Sequence, residues 1–294
     1  MKLRTLIERA AAQLDAAGLA FGHGAGNAYD EAAWLALWRL ALPLDLADDE
    51  LERTVSAEQA AAVEALIAQR IQSRKPAAYL TGEAWLQGLP FFVDERVIVP
   101  RSLIAEVLAE GGAEPWLAAE PKRILDLCTG NGSLAVLAAL AWPDAQIDAT
   151  DVSADALAVA RRNVDRHGLT DRVRLRQGDG LAAADDRYEL VLCNPPYVNR
   201  QAMQALPAEY RAEPALALAG GDDGMDLVRR ILRDAPALLN AEGVLVLEIG
   251  NERWNFERAF PRAEVAWLPT SAGDDQVLLM TRDALVKLAR HTEN

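Results

Sequence analysis

Four consecutive residues, Asn194-Pro195-Pro196-Tyr197, carry the densest chemistry in the chain. They follow directly on the apolar run Leu190-Val191-Leu192-Cys193, which reads as a strand buried on both faces. Ligands of open α/β sheets gather beyond the carboxyl ends of such strands, so the tetrapeptide falls at a working edge. Two successive prolines continue neither a strand ladder nor a helix; they hold the backbone extended and leave carbonyls without local partners. The Asn194 side-chain oxygen and the Pro195 carbonyl can then accept both hydrogens of a planar NH2 group, with Tyr197 as an aromatic wall beside it. That is a cradle for an amide or amino nitrogen. A rigid turn ending a strand would explain the prolines, but not an Asn and a Tyr next to them.

A second set of candidates ends the neighbouring strands. Gly130-Asn131-Gly132-Ser133-Leu134-Ala135 follows the apolar run Ile124-Leu125-Asp126-Leu127 and fits the G-x-G-x-x-A pattern of a nucleotide-binding turn. NAD and S-adenosylmethionine both contain adenosine, and charge separates them. A pyrophosphate over the glycine turn would meet the repulsion of the Asp126 carboxylate, whereas S-adenosylmethionine brings an α-amino group and a sulfonium there. Asp151 is placed to accept both ribose hydroxyls, and Asp179 to receive the adenine amino group. Aspartate is also a common cap and turn former, but three acids ending three consecutive strands make that use less attractive.

These residues need a sheet to bring them together. After Pro121, strands at 124–127, 145–151, 173–175, 188–193 and 243–248 alternate with helices, which predicts a parallel sheet with right-handed crossovers. The runs 263–267 and 276–280 are separated by too few residues for a crossover helix, so they are expected to pair antiparallel at one edge. Upstream, Glu83 to Val93 alternates around Gln87-Gly88-Leu89-Pro90 as a β-hairpin. The first part of the chain reads helical: Leu3, Leu6, Ile7, Ala10 and Leu14 share a face, and Ser56 with Gln59 forms a capping box. Tryptophans at helical spacing there, Trp34 and Trp38, are expected in the core. Gly22 to Asn27 reads as a flexible connection with His23 solvated. The Pro100-Arg101 corner either leads into the next domain or leans over the site.

Length and composition set the outer limits. The 294 residues suit two unequal domains, and 51% hydrophobic content is ample for a core. A charge of −14 argues against a protein whose affinity comes from covering nucleic-acid phosphates, and is compatible with a basic protein partner. Cys128 and Cys193 provide neither a disulfide framework nor metal-ligand spacing, so no metal is expected and the setting reads as cytoplasmic. The start, Met1 to Glu8, carries a charge within its second turn and no continuous apolar stretch behind it, which predicts neither a signal peptide nor a membrane span.

Asp126-Leu127-Cys128-Thr129-Gly130-Asn131-Gly132, Asp151 and Asn194-Pro195-Pro196-Tyr197, at these spacings, resemble a class I S-adenosylmethionine-dependent methyltransferase. Glu213-Pro214-Ala215-Leu216, Gly220-Gly221-Asp222-Asp223-Gly224 and Glu248-Ile249-Gly250 are similar to the HemK family of protein glutamine N5-methyltransferases. Within it, Arg74-Lys75-Pro76 through Thr81 and Val99-Pro100-Arg101-Ser102 resemble the PrmB branch, which acts on ribosomal protein three of the large subunit. The release-factor branch usually carries Pro where this chain has Ser102. Asn131 and Leu103 depart from the family pattern, where Ser and Pro are expected.

The resemblance implies a Rossmann-like methyltransferase sheet over 101–294, a hairpin linker over 83–100 and a helical substrate-recognition domain over 1–82. It implies S-adenosylmethionine held by Asp126, Thr129, Gly130, Gly132, Asp151, Asp179 and Asn194. A glutamine substrate would meet Asn194, Pro195, Pro196, Tyr197 and Glu213, the last on a loop closing over it. An amide nitrogen is a poor nucleophile, because its lone pair is delocalised into the carbonyl, so the expected catalysis is positioning and electrostatics by Asn194, Pro195 and Tyr197 without a general base. Competing readings are a release-factor methyltransferase, an adenine-amino DNA or RNA methyltransferase, a non-catalytic ribosome-assembly module and a nicotinamide dehydrogenase.

Overall fold

Leu3, Leu6, Ile7, Ala10 and Leu14 form the buried stripe of α1 (Leu3–Ala16) in a computed structural model that describes residues 1–184 and 186–292. Asn27 caps α2 (Ala28–Arg39), its side chain accepting the Asp30 N–H at 2.9 Å. Ser56 and Gln59 make the reciprocal capping box that opens α3 (Ala57–Ser73). The short α4 (Ala77–Thr81) follows Pro76 and stops at Gly82. These helices share one apolar cluster that includes Leu6, Ile7, Leu35, Val63 and Ile67. Trp34 packs at its edge, but Trp38 stands 36% exposed, a departure from the core position its spacing suggested.

Gln87 and Gly88 take φ of 49° and 72°, so a two-residue turn joins β1 (Glu83–Leu86) to β2 (Leu89–Phe92). The turn is tighter than the sequence suggested. Leu89 and Pro90 belong to the second strand, where Pro90 lies opposite Trp85 in a ribbon of only two strands.

Beyond α5 (Ile104–Ala109), strand and helix alternate as β3 (Arg123–Leu127), α6 (Ser133–Ala141), β4 (Gln146–Asp151), α7 (Ala154–Arg166), β5 (Val173–Gln177) and β6 (Tyr188–Cys193). Two short helices, α8 (Arg200–Ala205) and α9 (Ala208–Arg211), precede α10 (Asp226–Leu238) and β7 (Leu239–Glu248). The chain continues through α11 (Arg253–Ala259), β8 (Ala266–Thr270), β9 (Gly273–Thr281) and α12 (Arg282–Thr292). The strands form one seven-stranded sheet in the order β5-β4-β3-β6-β7-β9-β8. The first five are parallel, and β9 and β8 add the expected antiparallel edge.

Alternate residues of the central strands feed two separate cores. Ile124, Leu190, Leu192, Val244 and Val246 pack beneath α5 and α6, whereas Leu125, Val191, Leu245 and Leu247 pack beneath α10 and α12. The final helix was not anticipated. Its Ala284, Leu285 and Leu288 close the second core. From β3 the chain winds outward to β4 and β5, then returns to β6 on the other side, so strand order reverses between β3 and β6. The register Leu127↔Cys193 therefore sets the glycine-rich turn beside Asn194. Among the described residues, no helix is long and apolar enough to cross a membrane.

Candidate active site

The turn after β3 is shaped by backbone that few side chains tolerate. Cys128, Gly130 and Gly132 have φ of 62°, 56° and 80°. At Gly132 a Cβ would also stand 3.1 Å from the Ala160 Cβ and 3.3 Å from its Cα, so glycine is what lets α6 start against α7. Asp126 is fully buried behind this turn. Its Oδ2 accepts the Thr129 hydroxyl at 2.5 Å and the Ala135 N–H at 3.0 Å, while Oδ1 has no partner. Burial pushes its carboxyl up to about 7, against the opposing pull of those two donors. Asp151, ending β4, accepts the Gly130 N–H on Oδ2 and the Ser153 N–H on Oδ1, both at 2.9 Å. Burial raises its pKa as well, although these amides oppose the shift. Each of its oxygens keeps a lone pair for a ligand. Asp179, in the turn after β5, stands largely exposed and 2.9 Å from Arg230.

Around these residues lies a cavity of about 430 Å³, walled by Thr129, Gly130, Asp151, Asp179, Asn194 and Pro196 among others. A smaller cavity of about 160 Å³ adjoins it, walled by Arg101, Asn194, Pro195, Tyr197, Tyr210 and Glu248. Asn194 lines both. Among the described residues its side-chain amide makes no hydrogen bond, so it remains available at the shared wall. Tyr197 is held from two sides. Its hydroxyl donates to Glu248 Oε1 at 3.1 Å, and its ring lies where a Cβ on Gly250, itself at φ 52°, would come within 2.5 Å.

Residues 105–210 match the family model of the methyltransferase small domain. The chain is 58% identical to the ribosomal protein uL3 glutamine methyltransferase of Bordetella pertussis (strain Tohama I), over 96% of each chain. It is 50% identical to the protein of that name from Burkholderia pseudomallei (strain K96243), over 98% of this chain and 96% of that one. The chain belongs to the ribosomal protein uL3 glutamine methyltransferase family. The catalytic domain of hMettl16, solved in complex with MAT2A 3′UTR hairpin 6, aligns over 77% of this chain and 81% of that one. At a TM-score of 0.52 and 14% identity that likeness concerns the fold alone.

Three features of this methyltransferase differ from, or go beyond, what its sequence suggested. Glu213 was expected to face a glutamine substrate. Instead it is 4% exposed and fully engaged: Arg101 Nη1 and Nη2 donate to its two oxygens at 2.6 and 2.7 Å, and the Val99 N–H donates at 2.9 Å. Burial pushes this carboxyl up, but His23 and Arg101 outweigh it and hold the group at about 2. Glu213 therefore positions Arg101 rather than offering a free oxygen to a substrate.

His23 was expected in solvent, yet it is 1% exposed, with its ring centroid 4.2 Å from that of Tyr210 and Nε2 3.5 Å from Glu213 Oε2. Of the glycines around it, Gly22 and Gly24 take φ of 123° and 104°, a use of glycine that sequence alone does not separate from a flexible loop.

Glu248 was legible only as part of a motif. It is buried, receives the Ser102 hydroxyl at 2.6 Å and the Leu103 N–H at 3.0 Å on Oε2, and steadies Tyr197 through Oε1. Burial raises its pKa against those three donors. A proline at 102 would lack the hydroxyl that makes one of these bonds. The Pro100-Arg101 corner also resolves: it leans over the site, with Arg101 lining both cavities. Thr150 Oγ1 and Asn131 Nδ2, neither a sequence candidate, are buried without partners on residues of the larger cavity.

Proposed function

We propose that this enzyme transfers a methyl group from S-adenosylmethionine to the side-chain nitrogen N5 of a glutamine in ribosomal protein uL3, the third protein of the large subunit. The names of its close relatives support the substrate, and one structural observation carries the chemistry: an unengaged Asn194 amide on the wall shared by two cavities of unequal size.

The residues of the larger cavity fit S-adenosylmethionine. The unpartnered Oδ1 of Asp126 suits a cationic α-amino group, with Thr129 between the carboxylate and the cavity. Gly130 and Gly132 keep the turn free of side chains where the ligand backbone passes. Asp151 has lone pairs for the two ribose hydroxyls, and Asp179 at the rim is placed for the adenine amino group. When bound, S-adenosylmethionine supplies an electrophilic methyl group on a sulfonium. The smaller cavity takes the glutamine. Hydrogen bonds from its NH2 group to the Asn194 side-chain oxygen and the Pro195 carbonyl aim the nitrogen and favour its pyramidal form, while Tyr197 walls it and Pro196 stands on the side of the larger cavity. Positioning of this kind and fixed dipoles supply the acceleration, and loss of the proton after transfer needs no assigned base.

The test supplies radiolabelled methyl-S-adenosylmethionine to the enzyme with unmodified uL3 and an unmodified class I release factor in parallel, and maps any label to a peptide. Label on a glutamine of uL3 alone, lost in Asn194→Ala, is the expected outcome. Label on the release factor would move the assignment to the sister branch, and label on neither would overturn the protein-glutamine reading.

A further inference from the structure

We propose that the N-terminal helical part of the chain sets the shape of the acceptor cavity, and that His23 is the positioning residue through which it does so. The inference deepens the preceding reading and rests on it in one respect, that the smaller cavity receives the glutamine.

Arg101 and Tyr210 wall that cavity, and neither is fixed by the sheet. Arg101 is oriented by its two bonds to Glu213, and its guanidinium carbon lies 5.4 Å from the Tyr210 ring centroid. Tyr210 belongs to α9 and Glu213 to the residues just after it, a segment outside the strands. What holds this segment comes from the other end of the chain. The connection between α1 and α2 passes behind Tyr210, and the His23 ring fills the space between Tyr210 and Glu213. Both ring nitrogens are buried without a hydrogen bond, an arrangement that is costly unless the nearby Glu213 carboxylate compensates it electrostatically. The Tyr210 hydroxyl reaches the Phe21 carbonyl at 3.5 Å. Gly22, at φ 123°, lies so close that a Cβ there would stand 2.5 Å from the same hydroxyl.

A second grip lies on the adjoining residue. Glu209 is fully buried and meets Arg74 Nε at 2.7 Å and Arg70 Nη1 at 3.6 Å, while Arg70 is itself bound to Glu31 at 2.8 Å. Helices α2 and α3 and the His23 connection thus hold residues 209 to 213 from the N-terminal side. The glycine turn of the cofactor cavity makes no such demand, although Arg101 also borders that cavity. The turn is fixed by Asp151, Asp126 and the α6 N-terminus, all within the sheet region. Loss of His23 should therefore disturb the wall that receives the glutamine far more than it disturbs S-adenosylmethionine binding.

The test uses the full chain carrying His23→Ala or His23→Gln; glutamine retains an N–H donor for Glu213 but not the ring. Displacing a reacting group by a fraction of an ångström costs about 10- to 100-fold, so His23→Ala should lower kcat/KM for uL3 by that factor. Calorimetric Kd for S-adenosylmethionine should change far less than kcat/KM, and His23→Gln should recover part of the loss. Hydrogen exchange at residues 208–213 should quicken in His23→Ala, with the strands unaffected. Wild-type transfer by both variants would overturn the proposal, as would a parallel loss of transfer and S-adenosylmethionine binding. If the unmutated enzyme fails to label uL3, the substrate reading falls, and hydrogen exchange then decides the positioning claim: unchanged exchange at 208–213 overturns it.

Discussion

The two cavities that meet at Asn194 are built on opposite plans. The floor of the larger is a product of one sheet edge, with consecutive strand ends, a glycine turn and backbone amides that tie Asp126 and Asp151 in place, and Arg101 reaches its wall from outside the sheet. The smaller is assembled from residues far apart in the chain, with His23, Arg101, Glu213 and Glu248 locked by buried charges. A cofactor common to many enzymes can be met by a local backbone design. The cavity proposed for a particular protein side chain rests on a tertiary design, whose stability is vulnerable to the loss of single partners.

The sharpest test of this contrast sets a buried pair against an exposed one. Arg101→Ala strips Glu213 of its two-pronged partner and should cost about 3–5 kcal/mol in chemical denaturation, because a buried carboxylate is left uncompensated. Asp179→Ala breaks an exposed pair with Arg230 and should cost less than about 1 kcal/mol. Equal costs would dissolve the distinction. Next, Asn194→Ala should lower single-turnover methyl transfer by roughly 10²- to 10³-fold while S-adenosylmethionine affinity changes little, since the acceptor side of the shared wall is what it disables. Parallel losses would merge the two cavities into one functional unit.

The third prediction concerns Asp126. Its folded pKa of about 7 lies above its unfolded value near 4, so its contribution to stability is fully present below the unfolded value and is lost as pH rises through the folded one. Between about pH 4 and pH 8 the ligand-free enzyme should lose roughly 2–4 kcal/mol on this account. Asp126→Asn should flatten that part of the profile and weaken S-adenosylmethionine binding; an unchanged profile would show that the carboxyl is ionised without penalty. A smaller effect than at Arg101 is expected at Ser102→Ala, which removes one donor to a buried carboxylate and should cost about 1.5–3 kcal/mol. Because Glu248 also holds Tyr197, KM for the protein substrate should rise with it, while the Kd for S-adenosylmethionine should not move.

The same contrast explains how much of the molecule was legible beforehand. Gly130-Asn131-Gly132, Asp151 and Asn194-Pro195-Pro196-Tyr197 could be placed because each follows an apolar strand whose period and boundaries are local properties. The capping box at Ser56, the hairpin at Gln87-Gly88 and the antiparallel edge hairpin also follow from short stretches. Glu213 was seen, but a free carboxylate and one locked to Arg101 look alike in sequence. His23 among glycines resembled a solvated loop, because the Tyr210 ring that buries it lies 187 residues further on in the numbering.

By itself, then, the sequence determined the alternation of strands and helices, the glycine turn, the acids at the strand ends and the Asn-Pro-Pro-Tyr segment that follows the fourth strand of the sheet region. All of these depend on φ, on hydrophobic period or on the chemistry of adjacent residues. Only the tertiary structure decided that Asn194 faces two cavities, that Glu213 anchors Arg101, that Ser102 and Glu248 brace Tyr197, and that His23 packs between Tyr210 and Glu213. The reason is burial. Whether a charged or polar group serves a ligand or its own protein depends on which partners packing brings within hydrogen-bond reach once water is excluded.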